Sequence, residues 1–266
     1  MLNDALRRCA PMLLGLALTT AAETGGPVDA HAERATVDRP LALRGPTQGT
    51  AWSPAPFEAR YRARYDGIPF SARGRRILVR DDDGALRFFS DLRTVLLRVE
   101  EESRMHLGED GSLTPIDYAY RQSGIGGGRE RLLAFDWAAG EVRRSGDKQR
   151  VQPLGSGFLD PVSWQLALRR DVSSGALGVG EVVEYSITDG GEPKTYAIKL
   201  RGTESVDLPC GTFETVRLER IFDPEDPRET RIWLAPELGY MLVRLEAVDD
   251  SGRALRLELL ETPEPA

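Results

Sequence analysis

Residues 181–188 read EVVEYSIT, residues 195–201 read TYAIKLR and residues 241–248 read MLVRLEAV. Tyr185 and Ile187 alternate with Glu184, Ser186 and Thr188. Tyr196, Ile198 and Leu200 alternate with Thr195, Lys199 and Arg201, and Met241, Val243 and Leu245 alternate with Arg244 and Glu246. A period of two puts successive side chains on opposite faces, so each segment reads as a strand with one buried and one wetted face, the pattern of an antiparallel sheet.

The same pattern extends outward from these segments. Phe57, Ala59, Tyr61, Ala63 and Tyr65 alternate with Glu58, Arg60, Arg62 and Arg64, and Asp66-Gly67 offers the positive φ of a tight hairpin before a return strand over Ile68 to Arg80. Further strands are predicted at Leu86 to Asp91, Thr94 to Glu101, Ser103 to Leu107, Pro115 to Arg121 and Arg131 to Trp137, although Leu92 to Val99 also has the apolar spacing of a short helix. Beyond residue 181 the strands run over Glu181 to Thr188, Thr195 to Arg201, Glu204 to Leu208, Phe213 to Ile221, Thr230 to Ala235, Tyr240 to Val248 and Arg253 to Leu260. Phe213 is out of phase with Val216 and Leu218, which predicts a bulge near Glu214 or Thr215. One helix interrupts the pattern: Asp160 suits a cap, Pro161 the first turn, and no breaker follows until Gly175. The expected fold is mainly β, a single strongly curved antiparallel sheet or open β-barrel covered by one helix over about Asp160 to Val172.

At the start of the chain, Arg7 and Arg8 precede an apolar run from Cys9 through Leu18 and then the small residues Thr20, Ala21 and Ala22. This is the layout of a secretory signal peptide over residues 1–32, with cleavage after Ala22 or after Ala32. The run is shorter than the roughly 20 residues of a spanning helix, so the chain is not expected to cross a membrane. Residues 33–56, with many Ala, Pro, Gly and Thr, read as a flexible linker, residues 57–261 as one β-rich domain and residues 262–266 as a disordered tail.

Composition excludes several functions. The net charge of −7 argues against nucleic acid, whose phosphates call for a basic surface. With the leader removed, Cys210 is the one cysteine and His106 the one certain histidine, too few for a disulfide or for a zinc or transition-metal site. His106, between Met105 and Leu107, reads as a structural histidine, and no Gly-x-Ser-x-Gly elbow accompanies it. Asp81-Asp82-Asp83 and Asp223 to Asp226 read as solvated turns. Paired carboxylates remain open, with Asp160, Glu219 and Glu258 as candidates, Asp160 being better explained as a cap.

Leu159-Asp160-Pro161-Val162-Ser163, the stretch from Leu208 to Val216, and Arg231-Ile232-Trp233-Leu234-Ala235-Pro236 followed by Val243-Arg244-Leu245 occur together with Phe135-Asp136-Trp137 and Pro115-Ile116-Asp117-Tyr118. In order and spacing these fragments resemble the family called domain of unknown function 3108. The resemblance implies export to the periplasm of Gram-negative bacteria and a β-rich fold, and brings no activity with it.

The function expected is therefore that of a non-catalytic periplasmic protein, without cofactor, metal or catalytic residues. It is expected to bind an apolar small molecule, a lipid or lipoprotein-like ligand, or an envelope protein. Tyr61, Phe88, Trp164 and Trp233 are the candidate cavity-lining residues. The alternatives are a carboxylate-dependent hydrolase of envelope glycan, or an assembly factor that uses a sheet edge.

Overall fold

The computed structural model describes residues 52–124 and 127–264. The leader and most of the linker therefore lie outside the described residues. Fourteen strands form one sheet: β1 (Phe57–Tyr65), β2 (Ala72–Arg80), β3 (Leu86–Arg93), β4 (Leu97–Leu107), β5 (Leu113–Gly124), β6 (Arg129–Asp136), β7 (Glu141–Gly146), β8 (Arg150–Pro153), β9 (Val182–Ile187), β10 (Lys194–Leu208), β11 (Gly211–Ile221), β12 (Glu229–Ala235), β13 (Met241–Val248) and β14 (Ala254–Leu259). Helix α1 (Ser163–Ser173) lies between β8 and β9 in the chain, and a short 3-10 turn (Pro236–Leu238) precedes β13.

The spatial order is β8-β7-β6-β5-β4-β3-β2-β1-β14-β13-β12-β11-β10-β9, with every neighbouring pair antiparallel. The chain starts in the middle of the sheet and winds outward by hairpins to β8. It then crosses through α1 to the far edge and winds back until β14 pairs with β1, Tyr61 opposite Leu259.

The sheet does not close into a barrel, yet its two ends meet. Leu159 bridges Ile187 of β9, with Leu159 N donating to Ser186 O at 2.9 Å and Thr188 N donating to Leu159 O at 2.9 Å. Gln152 of β8 donates from Nε2 to Thr188 Oγ1 at 2.5 Å, and Arg131 of β6 reaches Asp189 at 2.5 Å. Gly190, at φ +78°, passes so close that an added Cβ would stand 2.7 Å from side-chain atoms of Arg144 and Leu133.

The inner face carries the alternating apolar set read from the sequence, including Leu78, Val99, Ile198, Leu218, Val243 and Leu259, all at or near zero exposure. Each such side chain contributes about 1.5–3 kcal/mol by leaving water. The outer face carries cross-strand ion pairs such as Arg62 and Arg244 on Glu258, at 3.4 and 3.1 Å. Helix α1 packs inside the curve, with Trp164, Leu166, Ala167, Leu168 and Val172 buried. Polar contacts fix it from several sides. Arg170 donates to Gly111 O, Asp171 accepts from Tyr185 of β9, and Gln165 accepts from Arg76 of β2. The expected curved sheet with one covering helix is the observed architecture.

Four local expectations need adjustment. Asp160 lies ahead of the helix, its Oδ1 accepting the N–H groups of Val162 and Ser163 while Ser163 Oγ accepts the Asp160 N–H. The bulge expected near Glu214 or Thr215 falls on the partner strand. The β10 register slips between Leu200 and Gly202, leaving Arg201 as the extra residue, so Glu204 to Leu208 continue one long strand. Leu92 to Val99 forms no helix: β3 runs to Arg93, and Thr94 Oγ1 accepts the N–H groups of Leu96 and Leu97 in a turn into β4. At the other end, Glu264 and Glu58 exchange backbone hydrogen bonds of 2.9 and 3.1 Å, and residues 265 and 266 lie outside the described residues.

Candidate functional site

Between α1 and the inner wall lies a partly open pocket with about 50 Å³ of room. Phe57 and Tyr61 reach it from β1, Phe88 from β3, Trp164 and Leu168 from α1, and Met241 and Leu245 from β13. Phe57 and Phe88 meet edge to face, 6.2 Å between centroids. Tyr61 donates its hydroxyl to Leu242 O at 2.7 Å, and burial pushes that hydroxyl up to about 12.

Two arginines break the apolar lining. Arg169 of α1 donates from Nε to Gly239 O at 2.6 Å and lies 5.5 Å over the Phe57 ring, while its Nη1 is buried without a hydrogen-bond partner. Arg76 of β2 donates from Nη1 to Gln165 Oε1 at 2.9 Å and lies 5.5 Å over the Tyr61 ring. Both side chains are buried, at 9% and 5% exposure, and neither has a carboxylate at ion-pair distance among the described residues. Burial lowers both guanidinium pKa values, that of Arg169 to about 10.

Arg76 begins a polar row across the inner wall. It is in register with Ser90 of β3, which faces Glu101 of β4, then Tyr120 of β5 and Arg131 of β6. Glu101 is 2% exposed; its Oε1 accepts the Tyr118 hydroxyl at 2.5 Å and its Oε2 is buried with no partner. Burial pushes its carboxyl up to about 7, with the Asp160 charge pushing the same way. Asp160, fully buried, accepts the Ser103 hydroxyl on Oδ2 at 2.5 Å, which ties the start of the helix to β4.

Of the residues selected from the sequence, Tyr61, Phe88 and Trp164 come together in this pocket. Trp233 sits elsewhere, paired with Arg217 and Arg244 on the neighbouring strands, its Nε1 donating to Glu204 at 3.2 Å and Arg244 stacked 5.9 Å away. The acids weighed for hydrolysis do not converge: Glu219 pairs with Arg201 and Arg217, Glu258 with Arg62 and Arg244, and Asp160 caps the turn into α1. Glu101 and Asp160 do approach each other, but at 2% and 0% exposure neither carboxyl reaches a substrate in solution. His106 is exposed on β4, not a core histidine. Among the described residues no group of three or more His, Cys, Asp or Glu could hold a metal ion, and no helix is long and apolar enough to cross a membrane.

Arg76, Arg169 and Glu101 were missed as site residues. Arg169 shares a helix face with Val162 and Leu166, and Glu101 keeps phase with Val99 and Met105, so the signal was a charge standing at a buried phase. Arginine abounds in this sequence, which hid it.

The sequence matches a family profile over residues 60–259, most of the chain and all of the sheet except Phe57, Glu58 and Ala59 at the start of β1. The chain belongs to the family described as protein of unknown function (DUF3108). Among solved structures, the DUF3108 chain is similar to a beta-barrel-like protein of domain of unknown function DUF1849 from Brucella abortus, with a TM-score of 0.53 at 11% identity over 80% of this chain and 98% of that one. A DUF1089 family protein from Pseudomonas aeruginosa matches at 13% identity over 86% of this chain and 98% of that one, with a TM-score of 0.30. The first likeness shows a shared fold. No curated protein matches the sequence.

Proposed function

We propose that this DUF3108 protein is a non-catalytic exported protein that takes a compact apolar ligand between helix α1 and the inner wall of the sheet. The observation that carries this reading is the pocket itself, where aromatic side chains from a helix and from distant strands face a space they do not fill. Its roughly 50 Å³ is far below the roughly 300–1,000 Å³ of a drug-sized site, which narrows the ligand. A phospholipid or the acylated end of a lipoprotein is too large, whereas a molecule of a few carbon atoms fits. Export is supported by the basic, apolar and small-residue order of residues 1–32, and the periplasm is its destination.

The test follows the methyl of Met241, which lines the pocket, with that of Met105 as an internal control, since Met105 is buried on β4 and does not line it. In protein carrying labelled methionine methyls, a short apolar probe such as propan-1-ol is expected to shift Met241 saturably and leave Met105 in place. If Met241 does not move, the binding reading fails. If the full chain stays in the cytoplasm of a Gram-negative host, the export reading fails.

A second reading, partner binding by strand addition, is favoured by β9. Among the described residues its outer edge is bridged at Ile187 alone, and Val182 at the start of the strand is 47% exposed. Strand addition there predicts that Glu184→Pro, which removes an N–H facing the open edge and none bonded to β10, abolishes partner capture without unfolding the sheet.

A further inference from the structure

Two guanidinium groups in an apolar pocket, without a carboxylate to neutralise them, are an expensive arrangement, because a buried charge is tolerated when it is paired and hydrogen-bonded. Arg169 has one hydrogen bond from Nε, to a backbone carbonyl, and an idle buried Nη1. Arg76 has the neutral amide oxygen of Gln165. Their rings, Phe57 and Tyr61, supply cation–π attraction but no counter-charge. Glu101 attracts Arg76 from further along the polar row but is outside ion-pair distance. The two arginines come from different elements, one on the helix and one on β2, and both line the same space.

Resting on the pocket reading above, we propose that the ligand is an anionic amphiphile, a carboxylate on a short apolar body, with its head held by Arg169 and Arg76. The planar guanidinium fork matches a carboxylate bidentately, and such charge-assisted bonds are about twice as strong as neutral ones. Idle Nη1 of Arg169 takes one carboxylate oxygen. The apolar body then lies against Phe57, Phe88, Trp164 and Met241. A free short-chain acid and a short acyl group ending in a carboxylate share this chemistry. The room available selects against longer chains.

The test compares propanoate with propan-1-ol, matched in chain and different in charge, reading the labelled methyl of Met241 in the full-length mature protein. Propanoate is expected to bind at least tenfold more tightly than propan-1-ol, and Arg169→Gln to remove that preference. Equal binding of the two probes to the wild type would overturn the anionic head and leave the apolar pocket standing. No response to either would overturn both. Should Arg169→Gln fail to fold, the wild-type comparison decides alone. Arg76→Gln then repeats the variant arm, and an unchanged preference for propanoate in that variant would remove Arg76 from the proposal.

Discussion

Replacing Glu101 by Gln should change how stability depends on pH. In the folded protein the carboxyl sits on the inner wall of β4, with Tyr118 donating to Oε1 and Oε2 unpartnered, and burial pushes it from 4.5 to about 7. Tyr118, Arg76 and Arg131 pull the other way, and Asp160 adds to the upward push. Because the folded state holds this proton more tightly than the unfolded chain, Glu101 contributes its stability fully below pH 4.5. That contribution is lost as pH rises and is gone above about 7. The separation of the two pKa values corresponds to about 3 kcal/mol, a large share of the 5–15 kcal/mol typical of a folded domain.

Gln keeps an oxygen for the Tyr118 hydroxyl and has no proton to lose. Glu101→Gln should therefore resemble the wild type at pH 5 and exceed it by about 3 kcal/mol at pH 8, or by some 6–12 °C in Tm for a domain of this size. Asp160 is raised by burial with the same sign, so the wild-type slope contains both groups and the difference between the two proteins reports Glu101 together with its coupling to Asp160. Urea unfolding from pH 5 to 8, with equal m-values, measures it. Parallel wild-type and variant curves would refute the claim that Glu101 is buried as a reluctant anion.

Asp160→Ala should cost about 2–4 kcal/mol in urea unfolding at pH 7, since it frees two turn N–H groups and the buried Ser103 hydroxyl; a loss under about 0.5 kcal/mol would refute its role as cap and tether. Gly190→Ala should destabilise by about 2 kcal/mol and speed amide exchange at Thr188 and Leu159, because the new methyl meets Arg144 and Leu133 where the sheet ends meet; unchanged exchange there would argue against that seam. With propanoate, Trp164→Phe should abolish the ligand-dependent fluorescence change and Trp233→Phe should keep it, and the opposite outcome would move the site to the outer wall.

The fold was legible because period-two alternation is a local consequence of burying one face of a strand. FEARYRARY at 57–65 needs no partner in view to declare its inner residues, and the hairpin glycines fix where the chain reverses. The joining of β1 to β14 and the meeting of β8 with β9 were not legible, since they join residues nearly 200 positions apart or rest on single contacts such as Leu159 with Ile187. Trp233 misled for a related reason. Ile232, Trp233, Leu234 and Ala235 are apolar on both faces, so period alone could not say that Trp233 packs against Arg217 and Arg244. The arginines of the pocket were hidden by number, because a chain with so many outward arginines gives no local mark to Arg76 and Arg169, which turn into the pocket.

Arg76 lies between the pocket and Glu101, which couples the two through charge. With the pocket empty, the positive charge of Arg76 helps Glu101 to ionise. An anion held by Arg76 offsets that charge, so a bound carboxylate disfavours ionised Glu101, and by reciprocity ionised Glu101 weakens the carboxylate. Propanoate is almost entirely ionised from pH 6 to 8, so a tighter Kd at pH 6 than at pH 8 in the wild type, levelled by Glu101→Gln, would trace the coupling to this one side chain. Propan-1-ol carries no charge for Arg76 to share and should bind alike at both pH values, and a pH dependence common to both probes would place its origin in the packing of α1 instead of in the charges of the polar row.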